Sequence, residues 1–232
     1  MSNLTELKLI GCRSCKVISF PHLGKLKHLT IGDMDNWKGG EWSSASTSDT
    51  GGANINQDEV NDRDIRKLCY QPLFPHLSSL RIYKCPKLRT SSIPYHLPFL
   101  TSLWIENCEG LESLPQGMPR LFISLDWLRI VGCPRLMAFP KAGLPIKLNT
   151  FEISECGEGK RGLLPKGVAL HRLTSLQRLI IMDSSGLKSF PKDDDWQLQI
   201  LEKYLAGRRT PLPNSGFRNQ RVSSSMTILR KE

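Results

Sequence analysis

The sequence predicts an α/β solenoid in which each repeat contributes one short strand to a parallel sheet. An apolar spacing, L-x-x-L-x-L-x-x-C, recurs four times, and three looser copies, two of which have Met34 or Ser184 at the cysteine position, bring the number of repeats to seven. The copies lie 22 to 28 residues apart, except for one gap of 51 residues. The L-x-L part of the spacing alternates as side chains do along a strand. A repeat of this length is typical of solenoids, in which neighbouring units stack and bury a shared core.

The seven copies define seven predicted strands. Within each copy the second and third apolar positions point to one side, so we expect them to be buried. The cysteine ends the strand, and Pro86 and Pro134 help stop it there, because proline brings no amide donor to a sheet. The copies start at Leu4, Leu26, Leu77, Leu100, Leu125, Leu148 and Leu176.

The predicted solenoid occupies residues 1–191. Residues 35–71 interrupt it with seven acidic and four basic side chains among many small polar ones, which predicts a disordered insert. Residues 192–206 have apolar side chains at helical spacing and predict a short helical cap. Residues 207–232 carry six basic residues against one acidic residue and predict a disordered basic tail. The first repeat has no cap before it, so we expect a truncated fragment or one part of a larger protein.

Charge and hydropathy disfavour several classes of protein. No uncharged apolar run approaches the ~20 residues of a membrane helix, and the start shows no secretory signal. We therefore expect a cytoplasmic or nuclear location, in which the seven cysteines stay reduced. The net charge of +10 would suit a polyanionic partner. The exposed strand positions, however, hold five basic and six acidic residues, which disfavours nucleic acid as a partner of that face.

No motif for catalysis or cofactor binding is complete. Cys12-x-x-Cys15 has the spacing of half a zinc site, and neither a second pair nor nearby histidines complete it. A glycine-rich segment at 157–160 lacks the first glycine and the final Ser or Thr of a phosphate-binding loop. His22 and His76 share the context Pro-His-Leu, which indicates repeat structure rather than acid–base chemistry. We therefore predict a non-enzymatic chain without metal or cofactor.

The outward positions of the strands carry the candidate binding residues. Arg81, Trp104 and Arg129 occupy one column in successive repeats, so we expect cation–π stacking among them. Aromatic and arginine clusters concentrate binding energy at protein interfaces. We predict a protein-docking patch with Trp104 and Trp127 as anchors and the two arginines as polar partners; alternatively, these side chains only pack on one another. The full candidate set is Lys8, Arg81, Tyr83, Trp104, Trp127 and Arg129.

The extended pattern L-x-x-L-x-L-x-x-C-P-x-L, followed by L-P or F-P, resembles the leucine-rich-repeat region of plant intracellular nucleotide-binding disease-resistance proteins of the coiled-coil class. Its more specific marks include Cys12-Arg-Ser-Cys15 and Cys85-Pro-Lys-Leu88. The resemblance implies a horseshoe with the sheet on its concave face and irregular or 3-10 segments on its convex face. It also implies the sensor or autoinhibitory region of an immune receptor. Its protein partner would be a pathogen effector, a host protein or a nucleotide-binding module.

One alternative is a substrate-binding leucine-rich-repeat adaptor of a ubiquitin ligase, whose repeats share the same core spacing. Those repeats carry a helix after the cysteine, whereas here Pro and Leu follow it. An extracellular receptor is disfavoured because no secretory start is visible. A nucleic-acid binder would depend on the basic tail, and its binding would fall steeply with salt.

Overall fold

In the computed structural model, residues 3–41, 74–94, 97–157 and 172–182 are described, together with strands at 200–204 and 226–230. The main feature is one parallel sheet to which each of the seven repeats contributes a strand. Its strands, in spatial order, are β1 (Glu6–Ile10), β3 (His28–Gly32), β5 (Ser79–Tyr83), β6 (Ser102–Glu106), β7 (Trp127–Val131), β8 (Thr150–Ser154) and β9 (Arg178–Met182).

Equivalent residues of neighbouring repeats lie directly opposite one another. Leu80 pairs with Leu103, and Arg81 pairs with Trp104; the same register holds across every other pair of strands in this sheet. The structure is thus a parallel-sheet solenoid with little helix, and this part of the predicted fold class is confirmed.

The core lies behind one face of the sheet. Leu103 and Ile105 of β6 are fully buried, with 0% exposure, because alternate side chains of a strand point to the same side. Their equivalents in the first repeat, Leu7 and Leu9, are only half-buried, since no described strand lies on the far side of β1. The inward side chains of the sheet are therefore fully covered in the middle repeats and partly exposed in the first repeat.

A second and less regular ladder runs beside the sheet. Strand β2 (Val17–Ser19) pairs in parallel with β4 (Gly39–Glu41), and a 3-10 turn (Thr90–Ser92) follows in the next repeat. The Oγ1 of Thr90 donates to the carbonyl of Ser113 at 2.7 Å. The helices whose full bounds lie in the described residues are this turn and one short helix, α1 (Met118–Leu121).

A common four-residue turn starts at the cysteine position after the strand in each of the first five repeats. In the middle repeats the amide of the fourth residue donates to the carbonyl of the first, from Leu88 to Cys85 at 3.0 Å and from Leu136 to Cys133 at 3.1 Å. We call this element the strand-ending turn. The residue before the cysteine position has a positive φ in the six repeats where that residue is described: Gly11, Asp33, Lys84, Asn107, Gly132 and Glu155.

The structure differs from the prediction at residues 35–41, which were expected to belong to the insert. Trp37 is buried with 0% exposure, at the fourth position of the strand-ending turn, where the middle repeats have leucine. Residues 39–41 then form β4. The apolar side chain and the ladder hydrogen bonds hold these residues in the solenoid, despite the polar composition around them. The rest of the predicted insert lies outside the described residues.

The carboxy-terminal segments also differ where they are described. Strand β10 (Ile200–Tyr204) lies within the predicted helical cap, and it pairs antiparallel with β11 (Met226–Arg230) in the predicted tail. A short apolar run fits a strand as well as a helix, and only its partner decides between them. The remainder of residues 192–232 lies outside the described residues.

Candidate functional site

Five of the six candidate binding residues lie together on the outward face of three adjacent strands. Arg81 and Tyr83 belong to β5, Trp104 to β6, and Trp127 and Arg129 to β7. We call these five residues the tryptophan patch. The register that aligns the buried leucines also aligns the outward positions, so residues 23 or 25 apart in sequence become neighbours.

The sixth candidate residue lies apart from the patch. Lys8 is on β1, and β3 separates β1 from β5. Its ammonium group pairs with the carboxylate of Glu6 at 2.8 Å, and both side chains are more than half exposed. An exposed ion pair of this kind contributes little to stability, and Lys8 is not part of the clustered surface.

Aromatic contacts organise the centre of the patch. The ring centroids of Trp104 and Trp127 are 5.2 Å apart, with the rings inclined at 61°. The guanidinium carbon of Arg81 lies 5.3 Å from the Trp104 ring and 5.4 Å from the Tyr83 ring. An aromatic pair contributes about 0.5–1.5 kcal/mol beyond its area burial. The expected cation–π stacking is therefore present between Arg81 and Trp104.

A chain of ion pairs runs beneath these rings. Glu106 accepts hydrogen bonds from Arg81 at 2.8 Å and from Arg129 at 2.9 Å. Arg129 also donates to Glu152, which is only 4% exposed. Burial raises the pKa of the Glu106 carboxyl, but the hydrogen bonds and charges of the two arginines outweigh burial and lower its pKa overall. The repeat pattern places both glutamates at outward positions of the strands, next to the two arginines. The opposite charges of these neighbours indicate that the glutamates and the arginines form one group.

These ion pairs change the role of the arginines. The sequence indicated them as polar partners of a bound protein, whereas in the structure the charges of Arg81 and Arg129 are balanced by Glu106 and Glu152. Of the two arginines, Arg81 also lies over the Trp104 ring. The most exposed apolar side chain of the patch is then Trp127, at 37%.

A glycine on the neighbouring strand makes room for Tyr83. Gly32 of β3 lies opposite Tyr83, and a Cβ atom added at Gly32 would lie 2.1 Å from Cζ of the tyrosine ring. The ring thus covers the bare backbone of the glycine. Sequence reasoning missed Gly32 as a supporting residue, although a glycine beside an aromatic residue in one sheet column is a recognisable signal.

Two donors within the patch have no acceptor. The indole Nε1 of Trp104 and the Nε of Arg81 are buried and have no hydrogen-bond partner among the residues that the structure describes. Such a donor costs about 1–3 kcal/mol when it stays unsatisfied. Both donors lie beneath the surface of the patch, out of contact with solvent.

The cysteine column has a structural role. The thiol of Cys85 donates to the carbonyl of Tyr83 at 3.3 Å, and that of Cys108 donates to the carbonyl of Glu106 at 3.4 Å. A hydrogen bond with the neighbouring Cys85 thiol, together with burial, raises the pKa of Cys108 well above its ordinary value. The buried Cys108 thus remains a thiol and closes the end of its strand.

The described ranges hold neither a cluster of metal-binding side chains nor a membrane-spanning helix. Between residues 3 and 182, outside the gaps, no three His, Cys, Asp or Glu side chains are placed to hold a metal ion together. No helix in the same part of the chain is long and apolar enough to span a bilayer.

Comparison with known proteins gave one relevant similarity. No family model and no solved structure matches the chain. A protein of Arabidopsis thaliana that is named as a disease resistance protein is 39% identical over 57 residues. The aligned segment is 25% of this chain and 4% of that protein, so the chain covers a small fraction of this relative. The sequence thus has a distant, partial similarity to a plant disease resistance protein, and its solenoid is compatible with a repeat region.

Proposed function

We propose that this chain is a leucine-rich-repeat recognition region that acts in plant defence by binding a protein on the outward face of its sheet. The observation that carries the proposal is the tryptophan patch, in which an exposed indole lies on a rigid sheet and is supported by internally balanced charges. The partial similarity to a disease resistance protein supports the defence role. In this proposal the sheet lines the concave face of a horseshoe, and the chain binds without catalysis or cofactor, in the cytoplasm or the nucleus.

The geometry suits recognition because the contact side chains are already positioned. Trp104 is fixed between Arg81 and Trp127, so little side-chain freedom is lost when a partner binds. Exposed aromatic groups on such a surface are the usual centres of protein interfaces. The charges of the arginines are already balanced, so apolar contact with Trp127 contributes most of the affinity, and salt weakens binding only slightly.

The partner is a pathogen protein, a host protein that a pathogen alters, or a nucleotide-binding module. The residues directly after Cys85, Cys108 and Cys133 form turns, and the only α-helix described between these strands is the four-residue α1. The ubiquitin-ligase adaptors considered above have helices there, so the resistance-protein type of repeat is the better fit.

Substitution of Trp127 by alanine tests the proposal. Proteins that the wild-type chain captures from infected leaf extract are identified, purified and titrated against the wild type and the variant. We expect Trp127→Ala to weaken binding by roughly 30-fold, the effect of losing about 2 kcal/mol at an interface centre. Phe99→Ala is the matched control, because Phe99 is an exposed aromatic residue at 58% that lies outside the outward face. Equal affinities of wild type and Trp127→Ala, with both folded, would reject the patch as the binding surface.

A further inference from the structure

The strand-ending turn of the first repeat differs from the turns of the middle repeats at its fourth residue. In the turns that begin at Cys85, Cys108 and Cys133, the fourth residue is a leucine with 0% exposure. In the first repeat the fourth residue is Cys15. Its amide donates to the carbonyl of Cys12 at 3.0 Å, so the backbone forms the same turn. One turn therefore carries a thiol at both of its ends.

The turn holds the backbone of these two cysteines at a separation that a disulfide can span. A four-residue turn keeps its end Cα atoms within about 7 Å, and disulfides span Cα separations of about 4.4–6.8 Å. In the third repeat both ends of the turn, Cys85 and Leu88, are buried in the core, so both side chains leave the turn on the same side. The same backbone hydrogen bond closes the turn of the first repeat, so the Cα–Cβ bonds of Cys12 and Cys15 leave the turn in similar directions, although the Cys12 thiol is exposed rather than buried.

Among the thiols that the structure describes, that of Cys12 is the most accessible. Cys12 is exposed, Cys15 and Cys156 are half-buried, and Cys85, Cys108 and Cys133 are buried. The Cys12 thiol makes no hydrogen bond to any residue that the structure describes, and the Cys15 thiol donates to the carbonyl of Val17 at 3.5 Å. The difference arises because no described repeat covers β1. Exposure is what permits a thiol to react with a soluble oxidant.

We propose that Cys12 and Cys15 form a reversible dithiol–disulfide site that reacts with small disulfides such as oxidised glutathione. The Cys12 thiolate attacks one sulfur of the oxidant, breaks its S–S bond and releases one glutathione thiolate. The Cys15 thiolate then attacks the Cys12 sulfur of the mixed disulfide and releases the second glutathione. The two glutathione thiolates take up the two protons that the cysteines lose, so the protein gives up two electrons and the oxidant is reduced.

The experiment treats the full folded chain with oxidised glutathione, blocks the remaining thiols by alkylation, and digests the denatured protein with trypsin without reductant. Arg13 lies between the two cysteines, so trypsin separates them. We expect peptide 9–13 to remain linked to peptide 14–16 through one disulfide, and dithiothreitol to release the two peptides. The linked pair identifies the Cys12–Cys15 bond directly.

Cys15→Leu is the matched variant, because leucine is the residue at this position of the middle repeats. We expect it to stop at a stable mixed disulfide between Cys12 and glutathione, and Cys15→Ser to behave in the same way. The proposal is overturned if the folded wild type also stops at the mixed disulfide, if Cys12 links to any other cysteine, or if neither thiol reacts until the protein is unfolded.

Discussion

The two faces of the seven-stranded sheet are built from the same strands but obey different rules. The inward face carries nearly the same apolar side chains, such as Leu103 and Ile105, in every repeat, so each inward residue is of the same type as its equivalents in the other repeats. The residues of the outward face vary from repeat to repeat, and Arg81, Trp104 and Arg129 lie in one column across three neighbouring strands. The comparison shows that the inward pattern sets the register, and that the register then decides which outward residues meet.

The largest expected effect is on the inward face. Leu103→Ala removes part of a fully buried side chain from between two neighbouring repeats, and we expect the free energy of unfolding to fall by about 2–5 kcal/mol. Urea denaturation followed by circular dichroism measures the change. Ser102→Ala, one residue away on the outward face, is the control and should change stability by less than about 0.5 kcal/mol. Similar losses in the two variants would contradict the division between the faces.

The second prediction concerns the ion pairs of the outward face. Glu106→Gln keeps the shape of the side chain but leaves the charges of Arg81 and Arg129 less balanced. We expect a loss of about 1 kcal/mol at neutral pH, since charge-assisted hydrogen bonds are stronger than neutral ones. Glu112→Gln is the control: Glu112 pairs with Arg89 at 2.9 Å, but both side chains are more than half exposed, and its loss should be near zero.

The difference between wild type and Glu106→Gln should also depend on pH. The pKa of Glu106 is lowered in the folded chain, so the unfolded state takes up the proton first on acidification. The stabilising effect is complete above the ordinary glutamate pKa of about 4.3 and is lost as the pH falls through the lower folded-state pKa. A difference that grows as the pH falls through this range would contradict the assignment of these ion pairs.

The sequence alone was sufficient for the sheet but not for the details of the patch. Alternation of apolar residues fixes which side chains face the core, and the repeat fixes which residues are neighbours, so the meeting of Trp104 with Arg81 and Trp127 was predictable. The ion pairs of Glu106 with both arginines could not be predicted from one column of outward residues, because Glu106 lies in the neighbouring column. That contact depends on side-chain length and direction across strands, which the spacing does not encode. Trp37 was missed for a related reason, because its polar surroundings in sequence concealed its place in the core.

The smallest expected effect lies at the end of the strands, where the chain turns from the sheet into the strand-ending turn. Lys84 has a φ of 50° and its equivalent Gly132 has a φ of 65°. A residue with a Cβ atom is strained in this region, whereas glycine is not. We expect Lys84→Gly to raise the free energy of unfolding by up to about 1 kcal/mol, because the relief of strain exceeds the added backbone entropy of the unfolded chain.

Lys84→Ala separates backbone relief from the loss of the side chain. The Lys84 ammonium lies 3.5 Å from the Asp33 carboxylate in an exposed pair, which contributes little. The alanine variant removes this pair and keeps the strained backbone, so it should match the wild type or be slightly less stable. Greater stability of the glycine variant than of the alanine variant, measured by urea denaturation, assigns the gain to the left-handed backbone. Equal stability of the two variants would mean that a Cβ atom at residue 84 causes no strain. The positive φ of this residue would then be set by the register of the sheet alone.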